Sequence, residues 1–343
     1  MSKIKITALV QSYCGGNRII PTLESCKLQD YPYKDLVIAD DASDDGKTVS
    51  IIENWLKNNT EYFENVTFIK NSENLGIVKN YRNAALNAKG EIIVPLGQGD
   101  TYYSTKTFSL IAEEIEKQRE EGLQDPLVWL GYYKSYKFNP EWQEVNDHLP
   151  TYPFYMGMLQ GPTEKALELL LERNYIGAPS FVYHSRYFQD GTFPIPETIK
   201  DLEDYGMSVW MLATGNLFGY LPLFVRWYEM GTGLSSSRNS RFVASLNKVY
   251  EFNEVSTNEN PKLNAVAKKA TKMNHYRSIK NKPEREFKKA VLRVKHAIKN
   301  PLKIICYLVF SFKKKVHMKL RAPEIIMGIE AASGSSFDEK FFS

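Results

Sequence analysis

Cysteine is scarce in this sequence, and long apolar runs are missing from it. The three cysteines, Cys14, Cys26 and Cys306, are an odd number without metal-ligand spacing. They predict free thiols in a reducing compartment and argue against a disulfide framework. No run reaches the ~18 apolar residues that a membrane-spanning helix needs, and the first residues lack a signal-peptide core. We therefore expect a cytoplasmic or peripheral protein.

Basic residues are unevenly distributed, although the net charge of the chain is only +4. Residues 261–321 carry 19 Lys and Arg against 2 Glu, a net charge of +17, whereas residues 1–260 carry 24 basic and 34 acidic residues, a net charge of −10. Such asymmetry is typical of a chain with two functional parts. The hydrophobic share of 43% and the charged share of 24% are those of a globular protein and exclude wholesale disorder.

Strand and helix patterns alternate along the first hundred residues. Short apolar runs have the length of buried strands at 4–10, 36–39, 66–69 and 91–96, and helical spacing occurs at 18–27, 49–56 and 78–88. This order predicts an α/β fold with a mostly parallel central sheet and helices on both faces. Residues 137–162 have the composition of an irregular loop, and the polar stretch 256–261 predicts the end of the body.

Ligands of parallel sheets bind beyond the carboxyl ends of the strands. Gln11 and Tyr13 follow the first predicted strand, and Asp40 and Asp41 follow the second. A carboxylate pair at this edge can accept hydrogen bonds from a base or a ribose hydroxyl. Alternatively, the segment 40–45 is a plain strand-to-helix turn with a side-chain N-cap.

The fourth strand is followed by Gln98, Gly99 and Asp100. Asp100 can hold one divalent cation, because Mg²⁺ often uses only one or two carboxylates together with phosphates and waters. Gly97 and Gly99 leave room for a ligand against the backbone, and they equally permit a bare tight turn.

Two predicted helices begin with charged side chains. Lys79 and Arg82 lie in the first turns after 74–76 (Asn-Leu-Gly). Because helix N-termini favour anions, these two residues can reach a diphosphate, or the segment is a solvated helix start. Glu203 and Asp204 open another helix, where acids can simply complement the helix dipole.

Taken together, these segments resemble family 2 glycosyltransferases of the GT-A fold, particularly bacterial capsule and lipopolysaccharide enzymes. The resemblance covers residues 4–236. Tyr13 stands at the aromatic that stacks on uracil, and 22–25 (Thr-Leu-Glu-Ser) and 29–32 (Gln-Asp-Tyr-Pro) match family stretches. The segment 40–43 (Asp-Asp-Ala-Ser) falls on the Asp-Asp-Gly-Ser motif, whose second acid meets the base.

The resemblance extends to two further motifs. The segments 74–76 (Asn-Leu-Gly) and 82–83 (Arg-Asn) fall on the Asn-x-Gly and Arg-Asn element. Glu203 and Asp204 fall on the Glu-Asp pair, whose Asp is the usual catalytic base. All of these motifs in this order are specific for the family.

Two positions depart from the family pattern. The metal motif is Asp-x-Asp or Asp-x-Asp-Asp, and 97–100 (Gly-Gln-Gly-Asp) keeps only the last acid. Relatives often carry a His that completes the metal shell, and Met230 stands there in this chain. Because a thioether is a poor ligand for hard ions, both changes weaken the implied Mg²⁺ or Mn²⁺ site on Asp100.

The resemblance implies an inverting glycosyltransferase that moves a sugar from a nucleotide-sugar, such as a UDP-sugar, to an acceptor hydroxyl in polysaccharide, capsule or lipopolysaccharide biosynthesis. It implies a GT-A domain over 1–255, with a nucleotide-binding half at 1–103 and an acceptor half at 104–255, and a basic helical region at 256–343. It assigns proton abstraction to Asp204, beside Glu203. Nucleotide contacts fall to Gln11, Tyr13, Asp40, Asp41, Lys79, Arg82, Gln98 and Gly99.

Two other classes compete with this interpretation. A nucleotide-sugar-binding subunit that has lost catalysis and supports a partner enzyme would share the fold, and the reduced metal motif favours it. A nucleotidyltransferase normally has a Gly-rich basic loop after the first strand. Residues 14–18 (Cys-Gly-Gly-Asn-Arg) match such a loop only weakly.

The basic C-terminal region has an amphipathic pattern. Residues 283–299 place apolar side chains on one helical face, and the apolar stretch 302–312 is followed by Lys313, Lys314 and Lys315. This pattern suits an anionic membrane surface and predicts peripheral attachment through 283–320 to the inner face of the cell membrane. It equally suits helices that pack on the body or form a homo-oligomer contact. Nucleic acid is not expected as a partner, because no nucleic-acid-binding motif interleaves the charges with aromatics.

Overall fold

The computed structural model describes residues 3–137, 143–144, 152–172, 174–231, 240–276, 282–299 and 301–337. The strands are β1 (Ile6–Ser12), β2 (Lys34–Asp40), β3 (Val66–Lys70), β4 (Ile92–Gly97), β5 (Thr101–Tyr102), β6 (Val128–Lys137), β7 (Gln143–Glu144), β8 (Phe181–His184) and β9 (Gly219–Met230). The helices are α1 (Ile19–Lys27), α2 (Thr48–Leu56), α3 (Ile77–Leu86), α4 (Thr107–Glu120), α5 (Tyr152–Leu159), α6 (Thr163–Glu172), α7 (Glu203–Ala213), α8 (Ser240–Ser256), α9 (Pro261–His275), α10 (Lys282–Lys299), α11 (Pro301–Leu320) and α12 (Ala322–Ala332).

All of the described strands join one sheet in the order β3-β2-β1-β4-β8-β6-β9-β5, and β7 pairs with β6. β1 lies between β2 and β4 in parallel pairing, so Ser12 stands opposite Asp40 and Gln11 opposite Gly97. β8 is antiparallel to β4 and β6, and β9 is parallel to β6. Six of the nine described strands, β1–β4, β6 and β9, therefore run in one direction, which confirms the predicted mostly parallel sheet.

Helices cover both faces of the sheet because side chains of a strand alternate between its two faces. Leu9 and Val37 belong to a core that includes residues of α3, α6 and α7. Their neighbours Val10 and Ile38 belong to a second core with α1, α2 and α4. Strands buried on both faces are expected to be continuous apolar runs, which is why the first half of the fold is readable from the sequence.

The predicted irregular loop over 137–162 is wrong for Tyr152–Leu159, which form α5. Aromatic contacts explain this helix, since Tyr155 stacks on Tyr175 with ring centroids 4.6 Å apart and Phe154 lies 5.2 Å from Phe310 of α11. Such tertiary contacts override a weak local preference. The prediction is also wrong for Gln143–Glu144, which form the short strand β7. Residues 138–142 and 145–151 of the predicted loop lie outside the described residues.

The C-terminal region is helical, as predicted, and its last part packs against the sheet. α8 packs on α7, and α9 packs on α6 and α8. Ser333 Oγ, at the end of α12, accepts a hydrogen bond of 2.7 Å from the Phe224 N–H in β9, and the Phe337 N–H donates to Tyr103 O at 3.0 Å. The division of the chain at residue 255 stays a prediction.

Within the ranges that the structure describes, no helix combines the length and the apolar character needed to cross a membrane.

Candidate functional site

The carboxyl ends of β2, β1 and β4 meet at one edge of the sheet, as the sequence predicts. Gln98 connects two of these ends, because its Oε1 accepts the Tyr13 N–H at 2.9 Å and its Nε2 donates to Tyr13 O at 2.7 Å. The Asp41 N–H donates to Ser12 O at 2.9 Å. Tyr13 is 46% exposed at this edge. We call this set of strand ends the ligand edge.

Asp40 and Asp41 are both buried at the ligand edge. Asp40 shapes the turn after β2, since its carboxylate accepts the N–H of Ser43 at 2.8 Å and its hydroxyl at 2.6 Å. Asp41 accepts the Leu75 N–H at 2.8 Å and the Gly76 N–H at 3.0 Å. A carboxylate oxygen can accept more than one hydrogen bond, so the predicted contacts of both acids with a nucleotide stay a prediction.

Backbone N–H groups at the start of α3 already bind an anionic group of the protein itself, the carboxylate of Asp41. Asp41 takes the amides of residues 75 and 76, and the Val78 N–H donates to Lys200 O at 3.0 Å. Gln11 also points here, since its Nε2 donates to Ile77 O at 3.1 Å. The positive N-terminal end of the α3 dipole therefore stabilises the contacts of α3 with β2 and with the segment before α7.

Lys79 and Arg82 are not tied to the other candidate side chains by any hydrogen bond among the described residues. Arg82 pairs with Asp190 at 2.7 Å, and its guanidinium lies 5.0 Å from the ring centre of Phe193. Lys79 is exposed on the first turn of α3. Contact of either residue with a diphosphate stays a prediction.

Asp100 lies in a buried cluster of four charged side chains. Its Oδ1 accepts the backbone N–H of Glu229 at 2.9 Å, and the Glu229 carboxylate forms an ion pair with Arg18. Arg226 is 3% exposed and donates to Phe181 O at 2.8 Å. Burial raises the pKa of Asp100 to about 7; the charge of Glu229 also raises it, and Arg226 opposes the rise.

Glu229 occupies the space beside Gly99. The backbone of Gly99 has a φ of +92°, and a Cβ added there would lie 1.7 Å from Glu229 Oε2. The hydroxyl of Tyr136 donates to Gly99 O. A side chain at residue 99 would strain the backbone and displace the Glu229 carboxylate, which stands where that side chain would begin.

The described residues form no preassembled site for a divalent cation. They contain no group of three or more His, Cys, Asp or Glu side chains placed to hold a metal ion. Asp100 has Glu229 as its neighbouring acid, and that acid is already paired with Arg18. A cation that used Glu229 as a ligand would therefore have to displace Arg18.

Glu203 and Asp204 form the first turn of α7, behind a strained residue. Leu202 has a φ of +69°, a conformation that side chains rarely adopt and that is often found at functional sites. Burial raises the pKa values of both acids, and the charge of Asp204 further raises that of Glu203. Asp204 Oδ1 is shielded from solvent and accepts no hydrogen bond from the residues described. Hydrogen bonds from the backbone of Tyr205 and Ala178 and from the Asn174 side chain oppose the rise in the pKa of Asp204. A carboxylate whose pKa is nevertheless raised has the basicity that a general base needs.

Arg241, which the sequence analysis missed, connects this pair of acids to the ligand edge. Its Nε and Nη2 donate to the two oxygens of buried Asp201 at 3.0 and 2.9 Å, and its Nη1 donates to Asn74 Oδ1 at 2.9 Å. Asn74 belongs to the turn that Asp41 holds. The fold therefore places Glu203 and Asp204 next to the start of α3.

Glu229 and Arg18 were also missed as members of the site. The family pattern points to the neighbouring Met230, whereas the carboxylate that reaches Gly99 comes from Glu229. A signal existed, because an acidic residue within an apolar strand must find a partner when buried.

Residues 7–164 match the sequence model of the protein family Glycosyl transferase family 2. A search of curated protein sequences finds no match to the chain. The structure is similar to that of Staphylococcus aureus TarS 1–349 in complex with UDP, with 18% identity over 78% of this chain and 70% of that chain and a TM-score of 0.54. The complex of TarS 1–349 with UDP-GlcNAc gives 17% identity over 80% and 73% of the two chains, with a TM-score of 0.56.

A third similar structure is the mannosyltransferase PcManGT from Pyrobaculum calidifontis in complex with GDP-Man and Mn²⁺. It is 16% identical over 93% of this chain and 88% of that chain, with a TM-score of 0.50. At these identities the likeness concerns the fold, which is that of the GT-A glycosyltransferases with a helical C-terminal region. The family match and the fold together support a glycosyltransferase.

Proposed function

We propose that the chain is an inverting glycosyltransferase that transfers a sugar from a nucleotide-sugar, a UDP-sugar in the first instance, to an acceptor hydroxyl of a growing polysaccharide. The observation that carries this proposal is Asp204 Oδ1, a shielded carboxylate oxygen for which no hydrogen bond is found among the described residues. Asp204 lies in the first turn of α7, and the segment that precedes this helix docks against the ligand edge. The nucleotide-sugars bound by TarS and PcManGT support a nucleotide-sugar as the donor. TarS binds UDP-GlcNAc and PcManGT binds GDP-Man, so these structures do not select between uracil and guanine as the nucleobase.

In the proposed reaction the acceptor hydroxyl attacks the anomeric carbon of the donor. A bond forms between the acceptor oxygen and that carbon, and the bond from the carbon to the diphosphate oxygen breaks with its electron pair. The hydroxyl proton passes to Asp204, late in the transition state, because a carboxylate is a weak base for an alcohol. The exposed ring of Tyr13 would stack on the base, and Asp40 and Asp41 would accept hydrogen bonds from the nucleoside.

Positive charge must offset the charge that develops on the leaving diphosphate. The resemblance implied Mg²⁺ or Mn²⁺ on Asp100 for this purpose, and Mn²⁺ accompanies GDP-Man in PcManGT. The described side chains around Asp100 form no preassembled site for such an ion, and Arg18 is the cationic group nearest to Gly99.

Replacement of Asp204 by Asn tests the proposed base. Donor binding, measured by calorimetry, should be unchanged, whereas donor hydrolysis or transfer to an acceptor should fall by ~10²–10⁴-fold. If the variant turns over at a rate within a few-fold of wild type, Asp204 is not the base.

A membrane-bound acceptor would explain α10 and α11. Their apolar side chains face solvent, with Phe287 69%, Ile298 74%, Leu308 62% and Phe312 68% exposed, and residues 261–321 carry a net charge of +17. Apolar side chains beside many lysines match a surface of anionic lipids. We propose that this surface holds the protein on the inner face of the membrane, near a lipid-linked saccharide.

Vesicle sedimentation tests the membrane contact. The full chain should pellet with vesicles that contain anionic lipid and not with purely zwitterionic vesicles, and binding should weaken as salt rises. Deletion of the tail is a poor test, because α12 packs on β9. Equal sedimentation with both kinds of vesicle, or with neither, would contradict the proposal.

A nucleotide-sugar-binding subunit without catalysis is the second candidate. The absence of acids at Gly97 and Gly99 favours it. Tight donor binding without turnover, in the presence of acceptors that a related active enzyme accepts, would select it.

A further inference from the structure

A cavity with basic and apolar walls lies between the end of α9 and one face of α10. Its volume is about 120 Å³, and three lysines line it, Lys272 from α9 and Lys288 and Lys295 from α10. The other described residues of its wall are aromatic or aliphatic, and none of them is acidic. Since about 10–15 Å³ of such space already holds one water molecule, the cavity has room for a group as large as a phosphate.

The side of α10 that lines the cavity combines charge with apolar surface. Val291, Leu292 and Lys295 follow Lys288 at three, four and seven positions, a spacing that places all of them on one side of a helix. The two lysines stand at the ends of this set and the aliphatic side chains lie between them. α10 therefore borders the cavity with an apolar surface that has an ammonium group at each end.

The lysines beside the cavity are able to bind an anion. Lys272 and Lys295 are exposed, and neither side chain forms an ion pair or a hydrogen bond with a described residue. Lys288 pairs with Glu284 at 2.6 Å, and two of the three N–H donors of an ammonium group remain after one such contact. Three lysines and this glutamate give a net charge of +2, which exceeds the roughly half negative charge at the C-terminal end of α9.

An exposed apolar stripe leads away from the cavity along α10. Phe287 lines the cavity and is 69% exposed, and Val294 and Ile298 are 56% and 74% exposed. These two residues follow Phe287 at seven and eleven positions, so all three share one face of the helix. A soluble phosphate would leave this stripe in water, whereas the acyl chains of a lipid would cover it. The stripe therefore favours a lipid as the source of the anion.

We propose that the cavity between α9 and α10 binds the phosphate group of an anionic membrane lipid. Lys272, Lys288 and Lys295 donate to the phosphate oxygens, and the stripe that begins at Phe287 contacts the acyl chains. This inference rests on the proposed membrane contact of the tail and adds a defined binding site to it, because attraction by net charge alone needs no cavity. The bound lipid joins α10 to α9, which packs on α6 of the body.

Calorimetric titration of dihexanoyl phosphatidic acid into the full chain, below the micelle concentration of the lipid, tests the site. We expect one saturable site per chain. Inorganic phosphate, which has no acyl chains, and dihexanoyl phosphatidylcholine, whose headgroup carries a positive charge, should bind at least ~10-fold more weakly. Lys272→Ala combined with Lys295→Ala should weaken binding of phosphatidic acid by ~25-fold, since each lysine at an anionic lipid contributes a factor of ~5.

Lys268 and Arg293 provide a matched control. They lie on the same two helices, both are exposed, and neither lines the cavity. Lys268→Ala combined with Arg293→Ala removes the same charge and should weaken binding by less than ~3-fold, because salt screens more distant charges. Thermal melting shows whether each variant is folded, and Lys272→Gln combined with Lys295→Gln carries the test if the alanine variant is not.

The outcomes separate the lipid site from the membrane contact. Equal losses in the two double variants would show that the lysines act through net charge and would overturn the site. Inorganic phosphate that binds as tightly as phosphatidic acid would overturn the lipid as its ligand. Sedimentation with anionic vesicles but no binding of the short-chain lipid would overturn the site and leave the membrane contact intact. If the chain neither binds this lipid nor sediments with the vesicles, both proposals are wrong, and donor turnover still tests the glycosyltransferase proposal independently.

Discussion

The contact between Arg241 and Asp201 should control both the stability and the activity of this protein. Asp201 is fully buried, with a side-chain exposure of 1%, and both of its oxygens accept hydrogen bonds from Arg241. Substitution Arg241→Ala removes these bonds and the bond to Asn74. Ser245 Oγ, at 3.3 Å, remains as a partner of Asp201. The substitution therefore leaves a buried carboxylate without its counter-charge.

The size of the effect follows from burial. Removing one partner of a buried ion pair costs about 3–5 kcal/mol. The Arg241 side chain is 36% exposed, so water can reach the gap and partly solvate Asp201. We expect Arg241→Ala to lower the free energy of unfolding by about 2–3 kcal/mol in urea denaturation. Arg241→Lys, which keeps the charge, should lose less than this.

Activity should fall more than stability alone explains. Asp201 directly precedes Leu202, whose φ of +69° is unfavourable for a residue with a side chain. Asp204 follows two residues after Leu202. Without Arg241 the loop can relax and move the proposed base, and a displacement of ~1 Å can lower a rate by ~10²-fold. We therefore expect kcat to fall more strongly than the donor KM rises.

Lys262 provides the control for this prediction. Its ion pair with Glu164 is exposed, with side-chain exposures of 61% and 55%, and Lys262→Ala should change the free energy of unfolding by at most about 0.5 kcal/mol. If Arg241→Ala is as mild as Lys262→Ala, or if it raises KM and leaves kcat unchanged, the proposed clamp on the loop is refuted.

Three further predictions concern the site and the tail. In urea denaturation, Gly99→Ala should lower the free energy of unfolding by more than Gly122→Ala. Both glycines have a positive φ, but only at residue 99 would the added Cβ meet another side chain, 1.7 Å from a carboxylate oxygen of Glu229. The kcat/KM of the wild type should fall as pH drops through a pKa above the ordinary ~3.9 of Asp, since burial raises the pKa of Asp204 and the base must be ionised. Combined Leu308→Asp and Phe312→Asp should weaken sedimentation with anionic vesicles by at least ~10-fold without changing Tm, because both side chains are exposed.

Each of these predictions has a result that contradicts it. Equal losses at Gly99 and Gly122 would show that backbone conformation alone matters. An acid limb that persists unchanged in Asp204→Asn would assign the titration to another group. For the tail, Val255→Asp is the control, since Val255 is 65% exposed on α8 and outside the proposed contact. A similar loss of sedimentation in this control would point to net charge rather than to the apolar surface.

Ionisation of Asp204 also links the site to stability. Its folded-state pKa is raised, so the folded state binds more protons than the unfolded state between the two pKa values. The stabilisation from the protonated acid is present below the unfolded value of about 3.9 and is lost as pH rises through the folded value. Asp204→Asn should therefore melt at a higher temperature than wild type at pH 8, with a smaller difference at pH 4.

The sheet and its helices could be predicted because their signals are local. The middle of a parallel strand such as β2 is buried on both faces, which leaves the short apolar run 36–39 in the sequence. The polar residues after each such run mark the ligand edge. α5 was missed because distant aromatic contacts stabilise it. The packing of α12 against the sheet could not be predicted from the sequence either. It depends on hydrogen bonds such as that from the Phe224 N–H to Ser333 Oγ, 109 positions apart.

The candidate site shows the same limit. Asp41, Asp100 and Asp204 stand where a carboxylate was expected, since each follows a strand or opens a helix. Their partners could not be predicted, because Arg241 reaches Asn74 across 167 positions and Glu229 reaches Arg18 across 211. A motif predicts where a charge lies at the end of an element, and only the tertiary fold decides which distant charge compensates it.

The most direct test of the central claim is the release of nucleoside diphosphate from a panel of UDP-, GDP- and dTDP-sugars by the wild-type chain and by Asp204→Asn. The measurement is made in EDTA, in Mg²⁺ and in Mn²⁺. We predict slow turnover of one donor by the wild type and a loss of ~10²-fold or more in the variant. Turnover of no donor by the wild type, even with polysaccharide and lipid-linked acceptors added, would contradict the claim that the chain is a glycosyltransferase.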